Sequence, residues 1–301
     1  LGAIALPLFY LFREEALETR LADAGAKAVL CTLENREIVA GVDPSLPLLA
    51  VDGADEGGFW PQQARASEHQ PPVPLGAEDP AVLIYTSGTT GAPKGVLHAH
   101  RFLLGHLPSI EVHHHGLGCG DIGWTPADWA WIGGLMDMAM PCLYYGLPSI
   151  ARRFAKFDPE EAYRLLRDFG PTRRFLPPTA LKLMRQAPAP EGLLVRSVSS
   201  GGEALDADIL DWGREALGAP INEIYGQTEC NLSVVSSAEL GEQRPGWMGR
   251  ASPGFQLRVV GANGEDAAEG ELWVHRDTPS TFLRYWQKPE ETAKVMKNGY
   301  F

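Results

Sequence analysis

Apolar positions recur along the chain in two rhythms. Between Glu14 and Ala24 they fall at Leu17, Leu21 and Ala24, one face of a helix, and Ala26 to Cys31 then runs as a short buried strand. Ala81-Val82-Leu83-Ile84 is a second apolar strand. Asp158-Pro159 supplies an N-cap and a first-turn proline; Ala162, Leu165, Leu166 and Phe169 follow at helical spacing until Gly170-Pro171 stops them. Leu193 to Ser199 predicts a strand, Asp206 to Leu217 a helix with Ile209 and Trp212 inward, and Pro220 to Tyr225 another strand, hence a βαβ unit. Val42 to Asp79, rich in Pro, Gly, Asp and Ala, has little periodicity and predicts a long surface connection. After Gly246 the texture changes. Gln256 to Val260 and Glu271 to His275, with a turn near Asn263-Gly264, predict antiparallel strands, and Thr292 to Lys297 a short helix. The expected fold is α/β: layered parallel β-sheets with flanking helices over residues 1–245, plus a small β subdomain over 246–301.

Composition narrows the partners. With 301 residues, 45% hydrophobic and 21% charged, the chain can bury a large core. A net charge of −12 argues against a nucleic-acid or anionic-membrane partner, so any anionic ligand must be held by local donors. Ala130 to Ile150 approaches membrane length, but Asp137, Pro141 and Pro148 inside it favour a buried helix over a span. Cys31, Cys119, Cys142 and Cys230 form no C-x-x-C pair, and Leu1 to Phe12 lacks a basic n-region, which together predict reduced thiols in a cytoplasmic chain. Both ends look cut. Leu1 begins inside an apolar element and Phe301 follows the turn Lys297-Asn298-Gly299-Tyr300, so the chain is expected to be a piece of a longer protein. His113-His114-His115 reads as a solvated loop flanked by glycine and not as a metal site, and His98 and His100, alternating with Val96 on a strand, receive no role.

The densest chemistry lies in Tyr85-Thr86-Ser87-Gly88-Thr89-Thr90-Gly91-Ala92-Pro93-Lys94-Gly95, where five hydroxyls, three glycines and one lysine follow an apolar strand. Glycines let backbone N–H groups converge on an anion, hydroxyls add donors, and Lys94 supplies a mobile charge, a phosphate-handling combination. The spacing is not that of a P-loop, because Pro93 precedes Lys94 and Gly95-Val96 follows it. Downstream, Tyr225-Gly226-Gln227-Thr228-Glu229 projects from a strand end, and Ser199-Ser200-Gly201-Gly202-Glu203-Ala204 makes a glycine turn after the preceding strand. An aromatic face suits a purine and a carboxylate suits a hard cation. Gly123 to Gly134 packs Trp124, Trp129 and Trp131 among small residues, a composition suited either to walling an apolar pocket or to a core helix.

These segments resemble the adenylate-forming superfamily of AMP-forming acyl-CoA synthetases, luciferases and peptide-synthetase adenylation domains, with a complete match across the phosphate loop. The closest pattern is that of medium-chain acyl-CoA synthetases. The resemblance implies that residues 86 to 94 grip ATP phosphates, that Gly202, Glu203, Ala204, Glu223, Ile224, Tyr225, Gly226, Gln227 and Thr228 help bind the nucleotide, and that Glu229 binds Mg²⁺. Tyr225 would stack on adenine and Thr228 touch the α-phosphate. Lys94, Thr228 and Glu229 would be the catalytic set. Ala204 replaces the proline common in the family. Trp131 and Gly226 would line the acyl pocket, since acetyl-CoA synthetases carry tryptophan at the position of Gly226 and so restrict it to small acids. The implied reaction activates a medium-chain or aryl carboxylic acid with ATP to acyl-adenylate and pyrophosphate, then forms a thioester with CoA. Loading of a carrier protein, a luciferase-like oxygenation and non-catalytic nucleotide binding stand as alternatives. The family's ribose-binding aspartate, a later arginine and a catalytic lysine belong to a carboxyl-terminal part outside residues 1–301.

Overall fold

The computed structural model of the chain describes residues 2–86, 93–241 and 243–301. In chain order the first elements are α1 (Glu14–Ala24), β1 (Val29–Cys31), α2 (Leu33–Val42), β2 (Leu48–Ala50) and α3 (Phe59–Arg65). β3 (Pro80–Thr86), β4 (Lys94–Ala99) and α4 (Arg101–His114) follow, then β5 (Gly123–Trp124), α5 (Ile132–Gly134), a π-helical turn (Leu135–Ala139) and α6 (Met140–Tyr145). The central part continues with β6 (Ser149–Ile150), α7 (Pro159–Phe169), β7 (Arg173–Phe175), α8 (Pro178–Met184), β8 (Ser197–Gly201) and α9 (Ala207–Trp212), which runs into a second π-helical turn (Gly213–Leu217). The last elements are β9 (Ile221–Gln227), β10 (Asn231–Val235), β11 (Arg250–Ala251), β12 (Leu257–Val260), β13 (Glu271–Val274), β14 (Arg284–Tyr285) and α10 (Pro289–Val295).

A seven-stranded sheet in the order β11-β10-β9-β8-β7-β5-β6 forms the frame. Its strands pair in parallel from β6 through β9 and antiparallel at β10 and β11. The α7, α8 and α9 side packs Leu166, Leu181, Met184, Ile209 and Leu210 onto Trp124, Val198 and Ile221. Across the sheet, Ile110 of α4 and Met138 and Cys142 of the α5–α6 stretch pack onto Phe175, Ile224 and Val235. Helices on both faces bury the parallel strands, as such sheets require. α7 shows how local signals fix an element: the Asp158 carboxylate accepts from the Glu160 and Glu161 amides at 2.8 and 3.3 Å, and Gly170 ends the helix in the left-handed region at φ 55°.

Three expectations are revised. The stretch expected to be a bare connection, 42–79, contains β2 and α3; β2 pairs in parallel with β1 and encloses Leu17, Leu21 and Val39 in a small separate core. The strands flanking the phosphate loop are not part of the parallel sheet. β3 and β4 form an antiparallel hairpin, and β14 adds to β4 to make a three-stranded sheet. The segment 246–301 does not stand apart: only β12 and β13 pair with each other alone, while β11 joins the large sheet and β14 the hairpin sheet. A boundary at 245/246 therefore cuts across hydrogen-bonded strand pairs.

The histidine run is also revised. His113 and His114 end α4 and are fully buried, and His115 caps it with φ 57°. α4 turns His106, Ser109 and His113 toward the sheet, where Ser109 Oγ donates to the Leu232 carbonyl at 3.0 Å and the Asn231 amide meets His106 Nδ1 at 2.7 Å. His114 Nδ1 lies 2.7 Å from Ser197 Oγ. The run is part of the core: the His114 and His115 rings find partners on the strands they cover, and the His113 carbonyl accepts from Asn222. His98 is also buried, on β4, whereas His100 sits in the turn before α4.

Candidate nucleotide and acyl site

Four of the parallel strands deliver their carboxyl ends to one edge of the sheet, the place where open α/β sheets bind ligands. β5 leads into the tryptophan-rich loop, β7 into Pro177-Pro178-Thr179, β8 into Gly202-Glu203 and β9 into Thr228-Glu229. A cavity of about 400 Å³ opens among the first three, walled by Trp131, Pro178, Leu183, Gly202 and, from farther away, Phe9 and Phe157.

Trp131 is the ring that shapes this cavity. It immediately precedes α5, and its neighbours are glycines for a steric reason: a Cβ on Gly133 would stand 2.7 Å from the indole, and one on Gly202 3.4 Å from it. Gly202 also has φ 102°, which disfavours other residues there. Phe175 backs the indole at 5.6 Å between ring centroids. Of the other tryptophans, Trp124 is fully buried in the core and Trp129 is exposed, so the segment is part core and part cavity wall.

The glycine turn after β8 is tied to β9 from below. Glu223 Oε1 accepts from the Leu205 amide at 3.0 Å, and burial raises the carboxyl's pKa. Ile224 keeps its side chain in the core, and a Cβ on Gly201 would stand 2.6 Å from its carbonyl oxygen. Glu223 and Ile224 therefore brace this turn. Glu203 and Ala204 are exposed, Glu203 facing Lys182 at 3.6 Å, and Tyr225 and Gln227 occupy the open end of β9. Gly226 is not among the cavity residues. A Cβ there would stand 1.8 Å from the Asn231 carbonyl oxygen, because β9 and β10 turn tightly around Thr228 and Asn231 takes φ 56°. This glycine is required by the turn itself, so a tryptophan here first has to rebuild the β9–β10 connection.

On the hairpin, Thr86 pairs with Lys94 and Tyr85 with Gly95, forming the stem of the phosphate loop. Ser87, Gly88, Thr89, Thr90, Gly91 and Ala92, named from the sequence as phosphate ligands, lie outside the described residues; Pro93 follows them at the foot of the stem. Gly95 is needed at close quarters, since a Cβ would stand 2.9 Å from Leu83 and 3.1 Å from Trp286. Tyr85 donates to Asp23 at 2.5 Å and Trp286 Nε1 to the Asp23 carbonyl at 2.9 Å, which anchors the stem to α1.

Lys94 and Glu229 meet at β14 and α10. Lys94 Nζ pairs with Glu291 at 3.0 Å and stands 5.2 Å from the Tyr285 ring centroid, while the Tyr285 hydroxyl donates to Glu229 Oε1 at 2.7 Å. Lys294 and then Lys94 pull the Glu291 pKa down to about 2. Beneath Thr228, His98 stacks on Phe102 at 3.8 Å; burial lowers its pKa to about 3, with the Thr228 backbone opposing. Cys230, next to Glu229, is held as the neutral thiol by burial, its pKa pushed up to about 12. It is a poor nucleophile.

Among the described residues no group of three or more His, Cys, Asp or Glu side chains could hold a metal ion. A lone carboxylate with a lysine close by nevertheless fits Mg²⁺, which is commonly held by one or two carboxylates plus substrate phosphates. Sequence reasoning missed Tyr285, Glu291 and Asp23. No spacing signal connects Tyr285 to Glu229, 56 residues away, or Lys94 to Glu291, 197 residues away.

The site lies at the carboxyl ends of strands in a doubly covered α/β sheet, with Lys94 of the β3–β4 hairpin and the strand-end Glu229 both reaching Tyr285. The AMP-binding enzyme family matches residues 1–286, and the chain belongs to that family. It is 28% identical over 324 residues to an acetyl-coenzyme A synthetase of Bacillus subtilis, covering 100% of this chain and 55% of the relative. To a 3-hydroxybenzoate–CoA ligase of Aromatoleum sp. it is 29% identical over 325 residues, covering 100% and 59%. The crystal structure of an acyl-CoA synthetase from Brucella canis superposes with a TM-score of 0.87 at 31% identity, covering 100% of this chain and 57% of that one. The chain thus spans well under two thirds of these relatives.

Proposed function

We propose that the protein carrying this chain activates a carboxylic acid with ATP, releasing pyrophosphate, and passes the acyl group from the adenylate to CoA. The observation that supports this most is the meeting of Lys94 and Glu229 on either side of Tyr285, at the foot of the phosphate-loop hairpin. Lys94 and the loop amides would bind the departing pyrophosphate, and Thr228 the α-phosphate at the centre under attack. Glu229 would hold Mg²⁺, which when bound neutralises phosphate charge. First-step catalysis would be positioning plus charge stabilisation, as in phosphoryl transfer generally. The acceptor thiol would come from outside, because Cys230 is buried and held protonated.

In this reading the cavity beside Trp131 receives the apolar part of the acid, and an acid longer than propionate, straight-chain or aromatic, fills it best. Each buried methylene contributes about 0.8 kcal/mol, roughly fourfold in kcat/KM, so the preference over acetate would build quickly. Named relatives act on both acetate and a hydroxybenzoate, so cavity shape carries this part of the proposal. The full-length protein, incubated with ATP, Mg²⁺, CoA and hexanoate or benzoate, should yield acyl-CoA, AMP and pyrophosphate by mass spectrometry. ATP hydrolysis without thioester, or acyl transfer to a carrier domain in place of CoA, would overturn the assignment.

A further inference from the structure

The reading above gives Tyr285 no task of its own, yet it touches both charged groups on which that reading rests. It is 5% exposed, on β14, and hydrogen-bonded through the backbone to β4, the strand that begins at Lys94. The Phe282 amide donates to the Glu229 carbonyl at 2.7 Å, so the same segment also grips the β9–β10 turn. The phenol donates its proton to one oxygen of Glu229, and the Lys94 ammonium stands over the ring, 5.2 Å from its centroid. No ion pair joins Lys94 to Glu229 among the described residues. Side by side, a flexible ammonium and a carboxylate would neutralise each other, and both would be lost to the ligand.

We propose that Tyr285 is a positioning residue that keeps these two charges apart and aimed: its hydroxyl holds Glu229 by Oε1 and leaves Oε2 for Mg²⁺, while its ring seats Lys94 for the phosphates. The proposal rests on the assignment of Glu229 and Lys94 above. Loss of one charge-assisted hydrogen bond corresponds to roughly a tenfold effect. In the full-length protein, Tyr285→Phe keeps the ring and removes the hydroxyl. Calorimetric titration with α,β-methylene-ATP should show about tenfold weaker binding in Mg²⁺, unchanged binding in EDTA, and an unchanged KM for the acid. Tyr285→Leu removes the ring as well and should weaken the EDTA titration too. 4-Fluorophenylalanine at 285, which fills nearly the same volume but has no proton to donate, should weaken Mg²⁺-dependent binding even if the phenylalanine variant does not fold. A Tyr285→Phe protein that binds the Mg²⁺ nucleotide like the parent overturns the proposal. Glu229→Gln run in parallel separates the two levels: if it weakens metal-dependent binding while Tyr285→Phe does not, only the Tyr285 role fails, and if it too has no effect, the metal assignment falls and takes the Tyr285 role with it.

Discussion

Lys94 and Glu229 carry opposite charges close to Tyr285, and each already has a protein partner, Glu291 for the lysine and Tyr285 for the carboxylate. About one third of each side chain in the Lys94–Glu291 pair remains exposed (32% and 33%), so solvent screens the pair and it holds only weakly. Phosphate can displace it. Glu291→Gln should therefore tighten ATP binding, by up to about fivefold at low salt, as titration of the full-length protein would register; weaker binding would mean that Glu291 helps to hold the nucleotide. Lys94→Ala should raise the adenylation barrier by roughly 2–4 kcal/mol with little change in melting temperature, by analogy with other preorganised donors at developing charge. The sequence made Lys94 and Glu229 legible because each sits in a dense local motif. Tyr285 and Glu291 were not legible, since only tertiary folding brings them there. Gly226 was legible as special, and the structure supplies a reason the sequence did not: its missing side chain makes room for the Asn231 backbone.

α4 shows where element-level reading fails. Its carboxyl-terminal histidines look like a polar loop, yet the helix buries them, with His114 hydrogen-bonded to Ser197 of β8. By contrast, α7 carries its cap, its apolar stripe and its stop signal in consecutive residues, and its bounds follow from the sequence alone. The buried histidines make stability depend on pH. Burial lowers the pKa of His98, His106 and His114 to about 3. In the unfolded chain each titrates near 6.5, so below that value the unfolded state binds protons that the folded state does not. Stability is therefore full above about pH 6.5 and falls as pH drops toward 3, by about 1.4 kcal/mol per pH unit for each histidine. Urea unfolding at pH 7.5 and pH 5 should differ by several kcal/mol. A flat profile between those values would show that the histidines are solvated or charged in the folded protein.

For the whole molecule, alternation of strands and helices made the α/β class and the strand-end placement of the site legible. Strand order and the antiparallel hairpin under the phosphate loop were not, because partners are chosen by packing across the chain and not by local pattern. Phe9 and Phe157 reach the cavity from separate segments for the same reason. The cavity leads to a specificity prediction: Trp131→Ala should enlarge it and shift the best substrate toward bulkier acids in a kcat/KM panel, whereas Gly133→Ala, which crowds the indole, should disturb every acid alike. The central claim is that this chain builds the site where a carboxylate attacks ATP. Exchange of labelled pyrophosphate into ATP by the full-length protein, measured across straight-chain acids of two to twelve carbons and benzoate, tests it most directly. The account predicts exchange that requires the acid, is strongest for acids longer than propionate, and is lost in Lys94→Ala. Exchange that is absent with every acid while ATP still binds, or that proceeds equally well without acid, would contradict it.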